Sequence, residues 1–140
     1  KAILKMKQRE MCCGFIRVER DGRKGTKRIF NPKENPIIKF LPTIDHAIIY
    51  TEFKRDTQNL SKICDDLKFD YAIVDGSTPA KKADCYIEGF KNGTIRFLIM
   101  QSKSGNAGLD LTCTNNVIFY ALPTSYIVFP STKLYLSQFI

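Results

Sequence analysis

Two patterns of apolar and polar positions run along this chain of 140 residues, and the change between them falls near Ala47. From there on, short apolar runs of strand type alternate with stretches whose apolar residues recur at helical spacing. Strands that are apolar along their whole length and separated by helices are typical of a parallel sheet covered on both faces. We therefore predict an α/β fold. The predicted strands are residues 47–50, 71–74, 95–100 and 117–122, and the predicted helices are residues 55–68 and 79–91.

The start of the second helix carries its own signal. Ser77 and Thr78 offer hydroxyl groups to the helix N-terminus, and Pro79 suits the first helical position. Asn92 and Gly93 then favour an end after Lys91. The sequence therefore predicts that a hydroxyl group of this turn caps the helix.

Residues 1–45 follow neither pattern clearly, because glycine and proline interrupt them at short intervals. Residues 2–13 are compatible with a short helix. Residues 15–30 are compatible either with two short strands around a turn or with a loose loop. We predict a basic, irregular or helical lead-in over residues 1–45, followed by a domain over residues 46–140.

The net charge of +8 and the pI near 9.3 favour a polyanionic partner. This charge is unevenly spread, because residues 1–39 contain twelve Lys or Arg and four acids, whereas the other 101 residues carry ten of each sign. A basic segment of this kind is either an arm that binds nucleic acid or a solvated lead-in. Composition leaves both interpretations open.

Five cysteines without a CxxC pair, together with a single histidine, give no ligand set for zinc and no disulfide framework. We expect no metal site and reduced, mostly buried thiols, as in an intracellular protein of the cytoplasm, nucleoid or nucleus rather than a secreted one. No apolar run approaches the roughly 18 residues of a membrane span, and no secretory pattern opens the chain. No membrane partner is expected.

Ligands of such a sheet bind at the carboxyl ends of its strands. Three of the four loops at that edge are rich in Ser, Thr or Gly, which present N–H and hydroxyl donors to phosphate. We therefore predict an anion site at this edge. The loops are residues 51–53, 75–78, 101–105 and 123–125.

Several common catalytic arrangements are missing from the sequence. It has no Walker A loop, and one histidine without a placed Ser or Cys partner makes no triad. Asp65 and Asp66 look like a metal-binding pair but fall within an amphipathic helix, where a solvated face is the simpler interpretation. His46 is expected to be a surface or packing residue, and no catalytic residue is assigned.

The most specific segment is IMQSKSGNAGLDL, residues 99–111. It resembles motif V of superfamily 2 helicases in their Swi/Snf-type form, although Asp110 stands where this group usually has Asn. The positions that match are Gly105, Gly108, Leu109, Leu111 and Thr112.

Other segments support the resemblance in the same order along the chain. Residues 46–64 look like motif IV and its helix, and residues 73–93 resemble the family's DG-S/T-T turn with its helix. Residues 6–20 and Asn35-Pro36 are similar to segments that lead into this lobe in phage and bacterial members. The resemblance covers about residues 6–129.

The resemblance implies the second, RecA-like lobe of an ATP-dependent helicase or translocase. ATP and Mg²⁺ would be bound mainly by a first lobe outside this sequence, and the partners would be that lobe and nucleic acid, specifically double-stranded DNA. Gly108 and Asp110 would face the ATP cleft and couple the nucleotide state to the grip. The residues that would grip phosphates are Thr51, Phe53, Gly76, Ser77, Thr78, Ser102, Lys103 and Gly105.

One departure concerns motif VI, whose arginines contact the γ-phosphate of ATP in this family. No Arg follows Arg96, and Lys133 cannot replace a bidentate guanidinium. Either the arginine segment is missing from the sequence, which we favour, or this lobe does not assist hydrolysis. We interpret the chain as a fragment of a larger enzyme that is inactive alone.

Two other classes of function stay open at this point. One is a non-catalytic nucleic-acid-binding module that uses the basic N-terminal arm. The other is a protein-interaction domain for which the RecA-like shape is only a scaffold.

Overall fold

The computed structural model describes residues 2–102 and 112–121 of the chain. The chain divides between Thr43 and Ile44 into two compact units. Within the described ranges, no helix combines the length and apolar character needed to cross a bilayer. The assignment of residues 1–45 and 46–140 to separate domains stays a prediction.

The N-terminal unit contains a β-hairpin that follows a helix. The hairpin turns at Asp21 and Gly22, whose φ angles of 51° and 72° are both positive, as a two-residue type I′ turn requires. The strand pair is therefore the correct interpretation of residues 15–30, and the short helix near the N-terminus is confirmed. The elements are α1 (Ala2–Cys12), β1 (Phe15–Arg20), β2 (Arg23–Arg28) and α2 (Glu34–Phe40).

This unit is more regular than the expected irregular or helical lead-in. Every residue of β2 is exposed, so no alternation of apolar and polar positions marks it as a strand. Helix α2 has only seven residues and contains Pro36 in its first turn, so it has too few turns for a helical period to be recognised in the sequence.

A buried carboxylate joins α1 to β1. Glu10 is 1% exposed and accepts hydrogen bonds from Arg17, at 2.5 Å from Nε and at 3.1 Å from the backbone N–H. Lys7 lies 3.6 Å from the same carboxylate. Burial by itself would raise the pKa of Glu10, but the hydrogen bonds and charge of Arg17, together with Lys7, lower this pKa below its ordinary value. The carboxylate therefore holds the helix against the strand in its charged form.

Gly14, between α1 and β1, has no room for a side chain. Its φ is +79°, and a Cβ placed there would lie 2.5 Å from Asn31 Cβ. Its carbonyl accepts a hydrogen bond from the Ile29 N–H at 2.9 Å. Glycine is required both by the left-handed backbone and by the neighbouring side chain.

We expect Gly14→Ala to destabilise the N-terminal unit by about 2 kcal/mol, because strain and a steric clash add. The matched control is Gly25→Ala, whose Cβ would make an ordinary contact at 3.9 Å with Val18. Hydrogen exchange of the Ile29 amide measures the loss. Equal protection in Gly14→Ala and Gly25→Ala would contradict this account.

The second unit contains a four-stranded parallel sheet. Its strands are β3 (Ala47–Thr51), β4 (Tyr71–Val74), β5 (Phe97–Gln101) and β6 (Val117–Phe119), in the order β4-β5-β3-β6. Ile49 of β3 lies level with Ile99 of β5 on one side and with Ile118 of β6 on the other. The four predicted strands and their parallel arrangement are confirmed.

One face of this sheet is covered by helix α4 (Ala80–Lys91), as the sequence predicts. Ile87 and Phe90 of this helix belong to a buried cluster that includes Leu98 and Met100 of β5. Phe90 is fully buried and is among the largest side chains of the core. Burial of such aromatic surface contributes about 2–3 kcal/mol per side chain.

The other face carries helix α3 (Lys54–Asp66), which contacts β3, β4 and β5. Side chains alternate along a strand, so Phe97 and Ile99 point away from the α4 cluster. Leu60, Ile63 and Cys64 form the buried side of α3. Helices thus flank both faces, which confirms the predicted fold class.

Two side chains just before β3 and β5 bond to backbone carbonyls nearby. Arg96 donates to the Ile44 carbonyl at 2.7 Å from Nη2, and its guanidinium lies 4.2 Å from the Phe69 ring centre. His46 stacks on Phe90 with 3.9 Å between ring centres, and its Nε2 donates to the Phe90 carbonyl at 2.8 Å. His46 is therefore confirmed as a packing residue.

The expectation of mostly buried thiols was wrong. Cys12, Cys85 and Cys113 are exposed, whereas Cys13 and Cys64 are buried, and none of the five is in a disulfide. Cysteine is small enough to lie on the outward side of a helix, as Cys85 does, at little cost. Burial raises the pKa of Cys64 to about 12, which keeps this thiol protonated.

Candidate functional site

The carboxyl ends of the parallel strands lie at one edge of the sheet. Because the strand order is β4-β5-β3-β6, the residues Asp75, Ser102, Glu52 and Tyr120 follow one another along that edge. Neighbouring strands are about 4.8 Å apart, so the backbones of the first three lie within about 10 Å. The structure thus brings the loops after β4, β5 and β3 together.

Thr51 and Ser102 meet where β3 and β5 end. The Ser102 N–H donates to the Thr51 carbonyl at 2.9 Å, and the Ser102 hydroxyl donates to the Glu52 carboxylate. Thr51 is fully buried, with its hydroxyl 2.9 Å from that of Thr57 and 3.4 Å from the Met100 carbonyl. Thr51 therefore fixes the strand ends from inside, while Ser102 lies partly exposed above it.

Phe53 connects β3 to α3. It is half-buried and extended, with φ −114° and ψ 145°, at the N-cap position of the helix. Its carbonyl accepts hydrogen bonds from the N–H groups of Asp56 and Thr57 at 3.0 and 3.3 Å. Asp56, in the first turn of α3, is fully buried. The helix thus begins directly at the strand-end edge.

Asp75 organises the turn after β4. One carboxylate oxygen accepts hydrogen bonds from the Ser77 N–H at 2.9 Å, the Ser77 hydroxyl at 2.6 Å and the Thr78 hydroxyl at 3.1 Å. The Asp75 N–H in turn donates to the Thr78 hydroxyl oxygen at 3.1 Å. The Ser77 hydroxyl chiefly lowers the pKa of Asp75, against partial burial, with further help from the Ser77 N–H, Thr78 and Lys54. This is an Asx turn with a charged acceptor.

The predicted hydroxyl cap of α4 was wrong. Pro79 is the N-cap residue, with no side-chain cap hydrogen bond, and the helix begins at Ala80. The hydroxyl groups of Ser77 and Thr78 are already bonded to Asp75, three positions or fewer away, so they do not reach the helix.

Backbone donors remain available beside this turn. The N–H groups of Lys82 and Ala83 both donate to the Pro79 carbonyl. Those of Ala80 and Lys81, the first two of the helix, have no intrahelical partner. Gly76 is exposed, and no heavy atom lies within 4 Å of the place where its Cβ would stand. The start of α4 therefore presents N–H groups and the positive end of the helix dipole.

A cleft of about 570 Å³ lies beside the turn. Lys82 and Tyr86 lie on the α4 side of it, with the Lys82 Nζ 5.5 Å from the centre of the Tyr86 ring. The cleft thus combines hydrogen-bond donors, a cation and an aromatic surface. Its lining residues are Tyr71, Ala72, Ile73, Asp75, Ser77, Thr78, Pro79, Lys82 and Tyr86.

Several predicted site residues lie outside the described residues. They are Lys103, Gly105, Gly108 and Asp110, together with the loop over residues 123–125 and the region of motif VI. Asp65 is exposed and accepts a hydrogen bond from Tyr71 at 3.0 Å. Among the described residues, no cluster of three or more His, Cys, Asp or Glu could hold a metal ion.

Comparison with known proteins decides the family. The family described as "Helicase conserved C-terminal domain" matches residues 32–136, which include both described parts of the parallel sheet. The chain belongs to this family.

Solved structures agree with this helicase C-terminal fold. The C-terminal part of the Fun30 ATPase domain has a TM-score of 0.55 and 26% identity, over 61% of this chain and 29% of that one. The C-terminal domain of the DEAD-box protein Dbp5 has a TM-score of 0.60 at 23% identity, over 67% of this chain and 53% of that one, and this likeness concerns the fold alone. The sheet is therefore the RecA-like sheet of a helicase C-terminal domain.

Curated relatives include proteins named ATP-dependent helicases. The ATP-dependent helicase fft2 of Schizosaccharomyces pombe is 30% identical over 74 residues, which are 52% of this chain and 6% of fft2. The ATP-dependent helicase FUN30 of Saccharomyces cerevisiae is 28% identical over 94 residues, which are 63% of this chain and 8% of FUN30. The helicase domain described here thus spans less than a tenth of the length of these relatives.

The roles of four residues of the helicase domain were missed by sequence reasoning. Asp75 was included in the predicted loop over residues 75–78 but was given no role of its own, although an Asp two positions before Ser is the signature of an Asx turn. Lys82 and Tyr86, spaced four apart on one helix, signalled a shared face. Glu52 gave no signal, because its bond to Ser102 joins residues fifty positions apart.

We expect Asp75→Ala to destabilise the second unit by about 1 kcal/mol at pH 7, because three charge-assisted hydrogen bonds are lost from a partly exposed group. The control Asp84→Ala, at an exposed position of α4, should cause no loss. Urea unfolding measures both.

The effect of Asp75 should depend on pH in one direction. Its folded pKa lies below the ordinary value of 3.8, so the charge-dependent stabilisation is complete above that value and is lost as the pH falls through the folded pKa. A difference between the parent and Asp75→Ala that grows as the pH falls would contradict this assignment.

Proposed function

We propose that this chain is the second RecA-like lobe of an ATP-dependent motor that moves on double-stranded DNA. The observation that carries the proposal is the family match over residues 32–136, combined with a strand-end edge that presents phosphate-binding groups. Relatives named ATP-dependent helicases support ATP as the energy source. Phosphate contacts are independent of base sequence, which suits a protein that translocates.

The grip that we propose uses backbone donors more than side chains. Gly76, Ser77 and Thr78 shape the turn, and Asp75 holds the two hydroxyl groups so that the turn keeps one conformation. The N–H groups at the start of α4 then face an incoming phosphate. The negative charge of Asp75 is opposed at this site by Lys82, which lines the same cleft.

The residues at the ends of β3 and β5 take a second part in the proposed grip. Ser102 would contact phosphate by turning its hydroxyl away from Glu52, because the single hydroxyl proton cannot be donated to the carboxylate and to a phosphate at once. Thr51 and Phe53 act as positioning residues, since Thr51 is buried and Phe53 caps α3. Lys103 and Gly105 complete this side of the grip in the proposal.

The remaining assignments concern the ATP cleft. We assign Gly108 and Asp110 to it, and ATP with Mg²⁺ mainly to a first lobe that completes the cleft. Hydrolysis there would open and close the two lobes and so change the grip. The chain without such a lobe is proposed to be inactive, and the full protein to work inside the cell, a setting supported by relatives that include the DNA repair protein rad8.

The test uses the full two-lobed protein with Lys103→Glu. Because a phosphate contact becomes a repulsion, DNA-stimulated ATP hydrolysis should fall at least tenfold, while hydrolysis without DNA is unchanged. Lys62→Glu, on the exposed side of α3, is the control with the same change of charge. Thermal unfolding of both variants shows that each folds.

Unchanged stimulation in Lys103→Glu would remove Lys103 from the grip. A full-length protein whose ATP hydrolysis does not respond to DNA at all would overturn the proposed function. Stimulation by RNA and not by DNA would show that the motor acts on RNA rather than on double-stranded DNA.

A further inference from the structure

The two faces of the β1–β2 hairpin differ in charge. Residues directly opposite each other in an antiparallel pair point to the same face. The inner face consists of Phe15, Arg17 and Glu19 of β1 with Lys24, Thr26 and Arg28 of β2, and the outer face of Ile16, Val18 and Arg20 with Arg23, Gly25 and Lys27.

Both arginines of the inner face have acidic partners. Arg17 bonds to the buried Glu10, and Arg28 forms an ion pair with Glu34 at 3.2 Å. Lys24 lies directly across from Glu19 in the ladder. This face also carries the buried Phe15, so it is the structural side of the hairpin.

The outer face carries three cations and no acid. Arg20, Arg23 and Lys27 are exposed, and none of them forms an ion pair among the described residues. Arg20 lies directly across from Arg23, a like-charge pair that destabilises an isolated hairpin. The type I′ turn holds both arginines at the tip in spite of this repulsion.

The middle of the outer face is uncharged. Val18 is 40% exposed and lies across from Gly25, which has no side chain, so only the Val18 side chain projects between the arginines and Lys27. A two-stranded ribbon of this width fits against a duplex groove or backbone. Arginine guanidinium groups bind phosphate bidentately, which suits a contact with the backbone.

We propose that this outer face is a second nucleic-acid-binding surface, which contacts the phosphate backbone through Arg20, Arg23 and Lys27. The proposal rests on the nucleic-acid partner of the proposed function but not on the strand-end residues. It gives three of the twelve cations of residues 1–39 a partner. An acidic protein is the competing occupant and is separated by the test.

The test compares Arg20→Gln/Arg23→Gln with the control Lys62→Gln/Lys91→Gln, which removes the same charge from exposed helix positions. Binding of the 140-residue chain to a fluorescent DNA duplex is titrated from about 50 to about 200 mM salt. Loss of two phosphate contacts should reduce the slope of log K against log salt by about 2, with about tenfold weaker binding at the lower salt. The control should leave the slope unchanged.

Hydrogen exchange separates a binding role of the two arginines from a structural one. Because the substitution removes a like-charge pair, the proposal predicts that exchange of the hairpin amides stays equal or becomes slower while binding weakens. Faster exchange in the arginine variant would assign the loss to unfolding and contradict the proposal.

Other outcomes also contradict the proposal. These are an unchanged salt slope in the arginine variant, no binding by the parent chain, or equal affinity of the parent for polyglutamate and duplex. The result is independent of the motor test, since Lys103→Glu reports on the strand-end grip. An unchanged salt slope in Arg20→Gln/Arg23→Gln, together with loss of DNA stimulation in Lys103→Glu, would contradict the hairpin surface but leave the proposed function standing.

Discussion

Parallel hydrogen bonding of β3 to β5 on one side and to β6 on the other is the interaction on which the candidate site depends. This pairing sets Thr51 level with Gln101, so that Glu52 and Ser102 emerge side by side. The pairing of β4 with β5 then places Asp75 next in the row. Residues that are fifty positions apart in sequence thereby share one edge, and α3 and α4 begin at that edge with their N-termini.

The two units carry charge in different ways. In the second unit, single charged side chains form hydrogen bonds with nearby backbone: Arg96 donates to the Ile44 carbonyl, and Asp75 accepts from the turn after β4. In the N-terminal unit, Glu10 neutralises the side of the hairpin that faces α1, and the outer face is left with an excess of cations. The net charge of +8 is thus located in residues 1–39, and three of their cations lie on the outer face of the hairpin.

Much of the fold could be predicted from the sequence, because buried parallel strands are continuous apolar runs and α3 has a clear helical period. The hairpin was one of two interpretations that the sequence left open, since the exposed strand β2 lacks any alternation that would decide between them. At the site, the turn after β4 was recognisable from its Ser and Thr, but the direction of their hydroxyl groups was not. The hydroxyl groups of Ser77 and Thr78 could bond either to Asp75 or to the first N–H groups of α4. Which of the two they reach depends on the distances in the folded turn, which the sequence does not give. The role of Glu52 could not be predicted for a related reason, because its partner Ser102 follows another strand.

The central claim is that nucleic acid binds at the carboxyl edge of the RecA-like sheet. Its most direct test is an amide chemical-shift map of the ¹⁵N-labelled chain during titration with a DNA duplex. The account predicts shifts at Gly76, Ala80, Lys81 and Ser102, which fade as salt is raised, and no shift at the amino ends of the same strands near His46 and Arg96. Shifts confined to the amino ends, or absent from the whole second unit at low salt, would contradict it.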